Sequence, residues 1–269
     1  MSLRFPEAVC CGFAAMLFAS GGASARELKV CADPNNMPFS NEQGQGFENR
    51  LAELVAKDMG ATVKFVWKPE WRGFVRKGLN AHACDVVPGV PANYGRVLPT
   101  KPYYRASYAI VQPAVSPPIA SFDDPALQTA RIGVQLVGDD GANTPPMDEL
   151  AKHGLTHSIR GYMVFGDWSK PDPLAPIVDA VAHRDVDVAF VWGPVADYYG
   201  ARETPPLRVT HIDSMKPMTF SISMGVRKHD KALADEINRI LERRQSDIQR
   251  ILAEFHIQSS GPSKSATAE

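Results

Sequence analysis

The sharpest chemical choice in this chain of 269 residues falls on Cys31. It stands in the stretch VCADPNNMPFSN, where Asp-Pro, Asn-Asn and Pro-Phe end a strand and build a tight polar loop. A cysteine there is either a reactive thiolate or a staple that holds the loop. No CxxC pair and no Cys/His spacing suited to a metal accompanies it. The compartment settles the choice. Arg4, an apolar run over residues 8–19 and the small residues Ala23, Ser24 and Ala25 form the pattern of a secretory signal peptide, too short for a spanning helix. Cleavage after Ala25 removes Cys10 and Cys11, and an exported chain left with Cys31 and Cys84 most simply joins them in one disulfide.

Other reactive patterns are missing. GxSxG, HExxH, GxGxxG and the phosphate-binding loop are absent, and no nucleophile with a base is visible, so no catalytic residue, cofactor or metal is assigned. His153 and His157 are four residues apart, but Gly154 lies between them and ends the helix, which leaves ordinary surface histidines. Asp139, Asp140 and Asn143 in VGDDGANTPP lack the full ligand spacing of a calcium loop and read as a turn that caps the helix near Pro145, with Asp140 on a polar lip. Trp71, Tyr94, Tyr103, Tyr104, Trp168 and Trp192 fall at or near strand ends, where aromatics anchor protein interfaces. Glu48 and Arg72 stand near helix starts, as local helix partners or as ligand contacts.

These side chains need a scaffold. A strand over ELKVCA, a helix over residues 46–60 with Phe47, Leu51, Leu54, Val55 and Met59 at helical spacing, and an alternating strand ATVKFVW come first. The stripe Trp71, Phe74, Val75 and Leu79 and the buried strand CDVVPGVP complete a β-α-β-α-β order, which implies a parallel sheet with crossover helices. The order restarts with a strand over ARIGVQ, a helix over PPMDELAKHG, a strand over THSIRG, a helix over residues 173–185 and a strand over VDVAFVW. PYYRASYAIVQP and PMTFSISMGVRK are long enough to cross between the units, and Leu233, Ile237, Ile240, Leu241, Ile248, Ile251, Leu252 and Phe255 form the apolar face of a closing helical stretch.

The expected fold is α/β, with two lobes joined by two extended hinge crossings. One lobe takes residues 26–108 plus 222–258 and the other 109–221, after a signal peptide over 1–25 and before a disordered tail over 259–269. In open α/β sheets ligands sit beyond the carboxyl ends of the strands, which aims the loops at 33–41, 89–94, 135–143, 161–170 and 192–197 at one cleft. Asn35, Asn36, Phe39, Gln135 and Asp197 join Glu48, Trp71, Arg72, Tyr94, Asp140, Trp168 and Trp192 as candidates to line it. A net charge of −1 gives no basis for nucleic-acid binding or a polybasic membrane anchor, and no later segment is apolar enough to span a bilayer.

The β-α-β-α-β plan, the PYY before the first crossing and the late GVRKHDKAL resemble periplasmic solute-binding proteins of the two-lobed (type II) amino-acid-binding kind. The blocks around VCADPNNMPFSN, WRGFVRKGLNAHACDVVPGVPANY and TKPYYRASYAIV are similar, in order, to the solute-binding-like proteins found with quinoprotein methanol dehydrogenases, the MxaJ/XoxJ type. That resemblance implies a non-enzymatic periplasmic protein, a monomer when alone. It would assist assembly or activation of a pyrroloquinoline-quinone methanol or alcohol dehydrogenase, together with that enzyme's c-type cytochrome. The quinone and its calcium or lanthanide would belong to the partner. Amino-acid-binding relatives carry an Arg in a TPER-like loop before PY. Here the loop is PANYGRVLPTKPYY, and Arg96 stands too close to Pro102 to match, which argues against a free amino acid as ligand. The alternative is a transport receptor delivering a small solute to an ABC permease.

The staple carries its own test. In doubly wound lobes the first and third strands are commonly neighbours, so a Cys31–Cys84 bridge ties them and contributes about 2–4 kcal/mol by restricting the unfolded chain. The exported protein, unfolded without reductant, is expected to show no titratable thiol. Two titratable thiols would contradict the disulfide.

Overall fold

The structure is a computed structural model that describes residues 26–69, 73–137, 143–165, 167 and 169–259. The expected signal peptide over 1–25, residues 260–269 and Trp71, Arg72, Asp140 and Trp168 lie outside these residues. The chain begins with β1 (Arg26–Ala32), the two short strands β2 (Asn35–Asn36) and β3 (Ser40–Asn41), α1 (Phe47–Asp58), β4 (Ala61–Trp67), α2 (Phe74–Lys77) and β5 (Val86–Pro91). It continues through β6 (Leu98–Pro99), β7 (Tyr104–Pro113), β8 (Ile132–Leu136), α3 (Pro145–Lys152), β9 (Ile159–Met163), α4 (Pro176–Ala182) and β10 (Val188–Trp192). The last elements are α5 (Gly193–Gly200), β11 (Leu207–His211), β12 (Thr219–Val226), α6 (Lys231–Arg243) and α7 (Gln245–Glu254).

The sheet is mixed, not purely parallel. Its strand order is β4-β1-β5-β12-β7-β10-β8-β9, with β6 paired to β12 and β11 to β7. The β-α-β crossovers expected from the helical spacing hold at both ends, where β1 runs parallel to β4 and β5, and β8 parallel to β9 and β10. The two long crossings, β7 and β12, lie antiparallel in the middle. Tyr104–Ser107 of β7 pair with β12, whereas Tyr108 and the residues after it pair with β10 and β11. One strand therefore changes partners at the peptide between Ser107 and Tyr108.

Helix burial follows the apolar spacing. Phe47, Leu51 and Val55 of α1 are buried against β1 and the C-terminal helices, as are Leu233, Ile237, Ile240 and Leu241 of α6 and Ile248, Ile251 and Leu252 of α7. Each such side chain contributes roughly 1.5–3 kcal/mol. Cys31 and Cys84 are joined, with α-carbons 5.5 Å apart, and sit with Val75, Leu79, Val87, Val90 and Val97 in a small separate core under α2. Gly78 lets α2 end against this bridge, since a side-chain carbon there would lie 2.4 Å from Cys31 Sγ.

Two elements depart from the expectation. Residues 192–197, read as a loop, instead end β10 at Trp192 and begin α5 at Gly193, and β11 carries no expected strand signal. Thr144, and not an Asx residue, is the N-terminal flank of α3. Its hydroxyl donates to the Gln135 carbonyl (2.6 Å) instead of capping the helix.

At the changeover in β7 a polar chain links three elements and the segment after α7. Ser107 Oγ is 3.1 Å from His211 Nδ1 at the end of β11, and His211 Nε2 is 2.8 Å from Asp197 Oδ1 on α5. The second Asp197 oxygen accepts from the Gln258 N–H (2.9 Å), which brings the chain after α7 back to the crossing, where Ser259 Oγ also accepts from Arg105 N–H. Ser259, expected to start a disordered tail, is thus held in place. Replacing Asp197 by Ala leaves a buried imidazole and a backbone donor without their acceptor, each an unmade bond worth about 1–3 kcal/mol. Asp197→Ala is expected to lose roughly 2–3 kcal/mol in chemical denaturation and to speed amide exchange at Gln258. An unchanged denaturation midpoint would show that the polar chain ties nothing together.

Candidate functional site

A cavity of about 1570 Å³ opens beside α2. One wall is built by Gly73–Arg76, Asn80 and His82, by β5 and its continuation through Tyr94 to Arg96, and by Arg227–Asp230 between β12 and α6. The facing wall brings Val137 after β8, with Met163 and Phe165 at the end of β9. Described residues from three of the five loops expected to converge therefore do meet here: Gly89 to Tyr94, Val137, and Met163 with Phe165. Local sequence explains how. Gly89, at φ +74°, carries β5 across the head of α1, where a side-chain carbon would come within 2.5 Å of Glu48 Oε1. Only glycine adopts that backbone without strain and leaves room for the carboxylate.

The loop over 33–41 is closed onto the second half of the chain. Asn35 Nδ2 donates to the Lys170 carbonyl (2.7 Å), and its N–H donates to Asp33 Oδ1 (2.8 Å). The Tyr199 hydroxyl, from α5, bridges the Met37 carbonyl (3.2 Å) and Asp172 Oδ1 (3.3 Å). Burial, then the Asp172 carboxylate, pushes the Tyr199 phenol far up, so it stays a donor at any physiological pH. Beneath this contact Asn36 is buried, and Phe39 packs on Phe47 with ring centres 5.4 Å apart. Asn49, buried in the first turn of α1, accepts from the Gly46 and Asn41 N–H groups (3.1 Å each) and fixes the loop to the helix.

The remaining candidates are sorted by the fold. Tyr94 lines the cavity. Gln135 is inside β8, buried, and its Oε1 accepts from the Trp192 N–H (2.8 Å), so it braces β10 instead of forming a lip. Trp192 lies edge-on to Tyr108 (5.2 Å) and Phe220 (5.8 Å), an aromatic group at the crossings in which burial raises the Tyr108 phenol to about 12. Asp197 is an interior residue of α5 committed to His211 and Gln258. Sequence reasoning ended the ARIGVQ strand at Gln135 and read Asp197 as loop, whereas β8 runs one residue further, to Leu136, and α5 already begins at Gly193. It also missed Met163, Phe165, Arg76 and Lys228 on the cavity walls. The excess of Arg, Lys and His around VRKGLNAH and GVRKHD was the signal that could have found the last two.

Ser107, His211 and Asp197 correct the expectation that no nucleophile stands beside a base; the serine and histidine are 104 residues apart in sequence. Their geometry is that of a tie. Ser107 is 4% exposed and does not line the cavity beside α2, and Gly193 packs against its carbonyl, where a side-chain carbon would fall 2.4 Å from the oxygen. Among the described residues no group of three His, Cys, Asp or Glu side chains is placed to hold a metal, and no helix is long and apolar enough to cross a membrane.

Comparison with known proteins places this architecture. Residues 28–257 match the family described as bacterial extracellular solute-binding proteins, family 3. Protein MoxJ of Methylorubrum extorquens is 34% identical over 246 residues, covering 86% of this chain and 80% of that protein. Among solved structures, MxaJ from Methlophaga aminisulfidivorans superposes with a TM-score of 0.75 at 27% identity, covering 86% of this chain and 99% of the other. The periplasmic binding protein XoxJ from Methylobacterium extorquens gives 0.71 at 31% identity, covering 86% and 98%. With a match spanning both β-α-β ends and both crossings, the chain belongs to family 3 of the bacterial extracellular solute-binding proteins and, within it, to the MoxJ and XoxJ type.

Proposed function

We propose that this protein is a periplasmic, non-enzymatic accessory factor that binds a quinoprotein methanol or alcohol dehydrogenase and assists its assembly or activation. The observation that carries the reading is the similarity to MoxJ and XoxJ over nearly the whole region from β1 to α7. The two groups of strands on either side of the β7 changeover act as lobes, with β7 and β12 as the hinge, and the enzyme docks at the cleft they border. Of the aromatic candidates, Tyr94 lines the cavity beside α2.

Two features favour a protein over a small solute as the occupant. A cavity of about 1570 Å³ exceeds the roughly 300–1,000 Å³ typical of small-molecule sites. The polar loop that would cover a buried solute is already spent on contacts to Lys170 and Tyr199. The transport reading therefore predicts a tight amino-acid complex and the accessory reading does not.

Purified protein mixed with the dehydrogenase from the same organism is expected to co-elute with it, or to raise its rate, without oxidising alcohol itself. Calorimetry across the free amino acids is expected to give no dissociation constant below about 10 μM, near −7 kcal/mol. Absence of both binding and activation, with a micromolar or tighter amino-acid complex, would return the protein to solute transport.

A further inference from the structure

The cavity beside α2 carries more positive charge than the fold uses. Arg227 is fully engaged: it donates to the Cys84 carbonyl (2.7 Å), Asp85 Oδ1 (3.0 Å) and Asp230 Oδ2 (3.3 Å). Asp230 in turn caps α6 by accepting from the Leu233 N–H (3.3 Å), and it is the only carboxylate on the described walls. Arg76, Arg96 and Lys228 line the same cavity, are exposed, and have no ion-pair partner among the described residues. Three like charges around a concave wall focus a positive potential inward. This local excess stands out in a chain that as a whole is slightly acidic at −1.

The opposite wall is apolar. Among the described residues only three large hydrophobic side chains are strongly exposed, and two of them, Met163 (47%) and Phe165 (38%), face into this cavity. Met163 ends β9, the last strand of the sheet order, and Phe165 follows it, at the edge of the sheet. A cationic wall facing an exposed apolar one selects a ligand with both characters. An extended polypeptide supplies them together, since successive side chains point to opposite sides.

We propose that the cavity takes an acidic segment of a partner protein, its carboxylates on Arg76, Arg96 and Lys228 and its apolar side chains on Met163 and Phe165. This deepens, and rests on, the reading of the protein as a partner-binding factor. It adds which wall recognises the partner and by what chemistry. The segment is steered in by charge, so its binding is salt-dependent, and it is retained by apolar contact.

The test uses the full exported chain and a short fluorescein-labelled peptide alternating glutamate with leucine, followed by anisotropy. The glutamate peptide is expected to bind at least about tenfold tighter than the same peptide with glutamine. It is expected to weaken at least about tenfold between about 50 and about 300 mM NaCl. The combined substitution Arg76→Gln, Arg96→Gln, Lys228→Gln, on exposed side chains, is expected to abolish the preference, and Met163→Ser with Phe165→Ser to weaken both peptides alike. Equal binding of the glutamine peptide, unchanged binding by the triple variant, or full displacement by citrate at the peptide's own concentration would overturn the inference. A parallel arm separates the two readings. If wild type and triple variant bind the dehydrogenase equally, the acidic-segment proposal fails while the accessory role stands. If neither binds it yet the charge-dependent peptide binding persists, the cavity stands and the dehydrogenase is the wrong partner.

Discussion

Tyr104–Ser107 of β7 hydrogen-bond to β12, and from Tyr108 onward the same strand bonds to β10 and β11. A single continuous strand therefore serves both groups of elements, and the geometry of everything between them depends on how firmly its changeover is held. Ser107, His211, Asp197 and Gln258 hold it by hydrogen bonds inside the protein, where an unmade bond is costly. The chain after α7 is enlisted as well, so the end of the described structure is tied to its middle. A constellation that would be read as catalytic from its residue types is, by its burial, what keeps the crossing in register.

On either side of that crossing the two ends of the sheet are stiffened by different means. The first end relies on the Cys31–Cys84 bridge and the small core around it, with Gly78 giving way to the sulfur. The second relies on Gln135 and Thr144, whose hydrogen bonds lock β8 to β10 and to the start of α3. Between these rigid parts the contacts from Asn35 to Lys170 and from Tyr199 to Met37 close one end of the cleft. The other end stays open as the cavity between α2 and β9. The proposed binding wall lies where the fold has left Arg76, Arg96 and Lys228 without ion-pair partners among the described residues.

The parts of this arrangement legible in the sequence were those with a strong period or a strong local signature. The apolar faces of α1, α6 and α7, the parallel β-α-β ends and the pairing of Cys31 with Cys84 all follow from spacing or compartment. What was not legible depends on contacts between distant residues. The helix starting at Gly193 is hidden because Gly-Pro normally signals a turn, and here Pro194 simply occupies the first turn of α5. Asp197 was assigned to the cleft because nothing local shows that His211 and Gln258 would claim both of its oxygens. Met163 and Phe165 look like ordinary strand residues until the sheet order puts β9 at an edge.

The central claim is that the open end of the cleft, and not another face, holds a protein partner. Hydrogen–deuterium exchange of the protein with and without its dehydrogenase tests it most directly. The account predicts new protection in residues 73–82, 89–96, 163–165 and 227–230, with little change along α6 and α7. Protection confined to α6 and α7, or to the outer edge at β4, with the cavity walls unchanged, would contradict it.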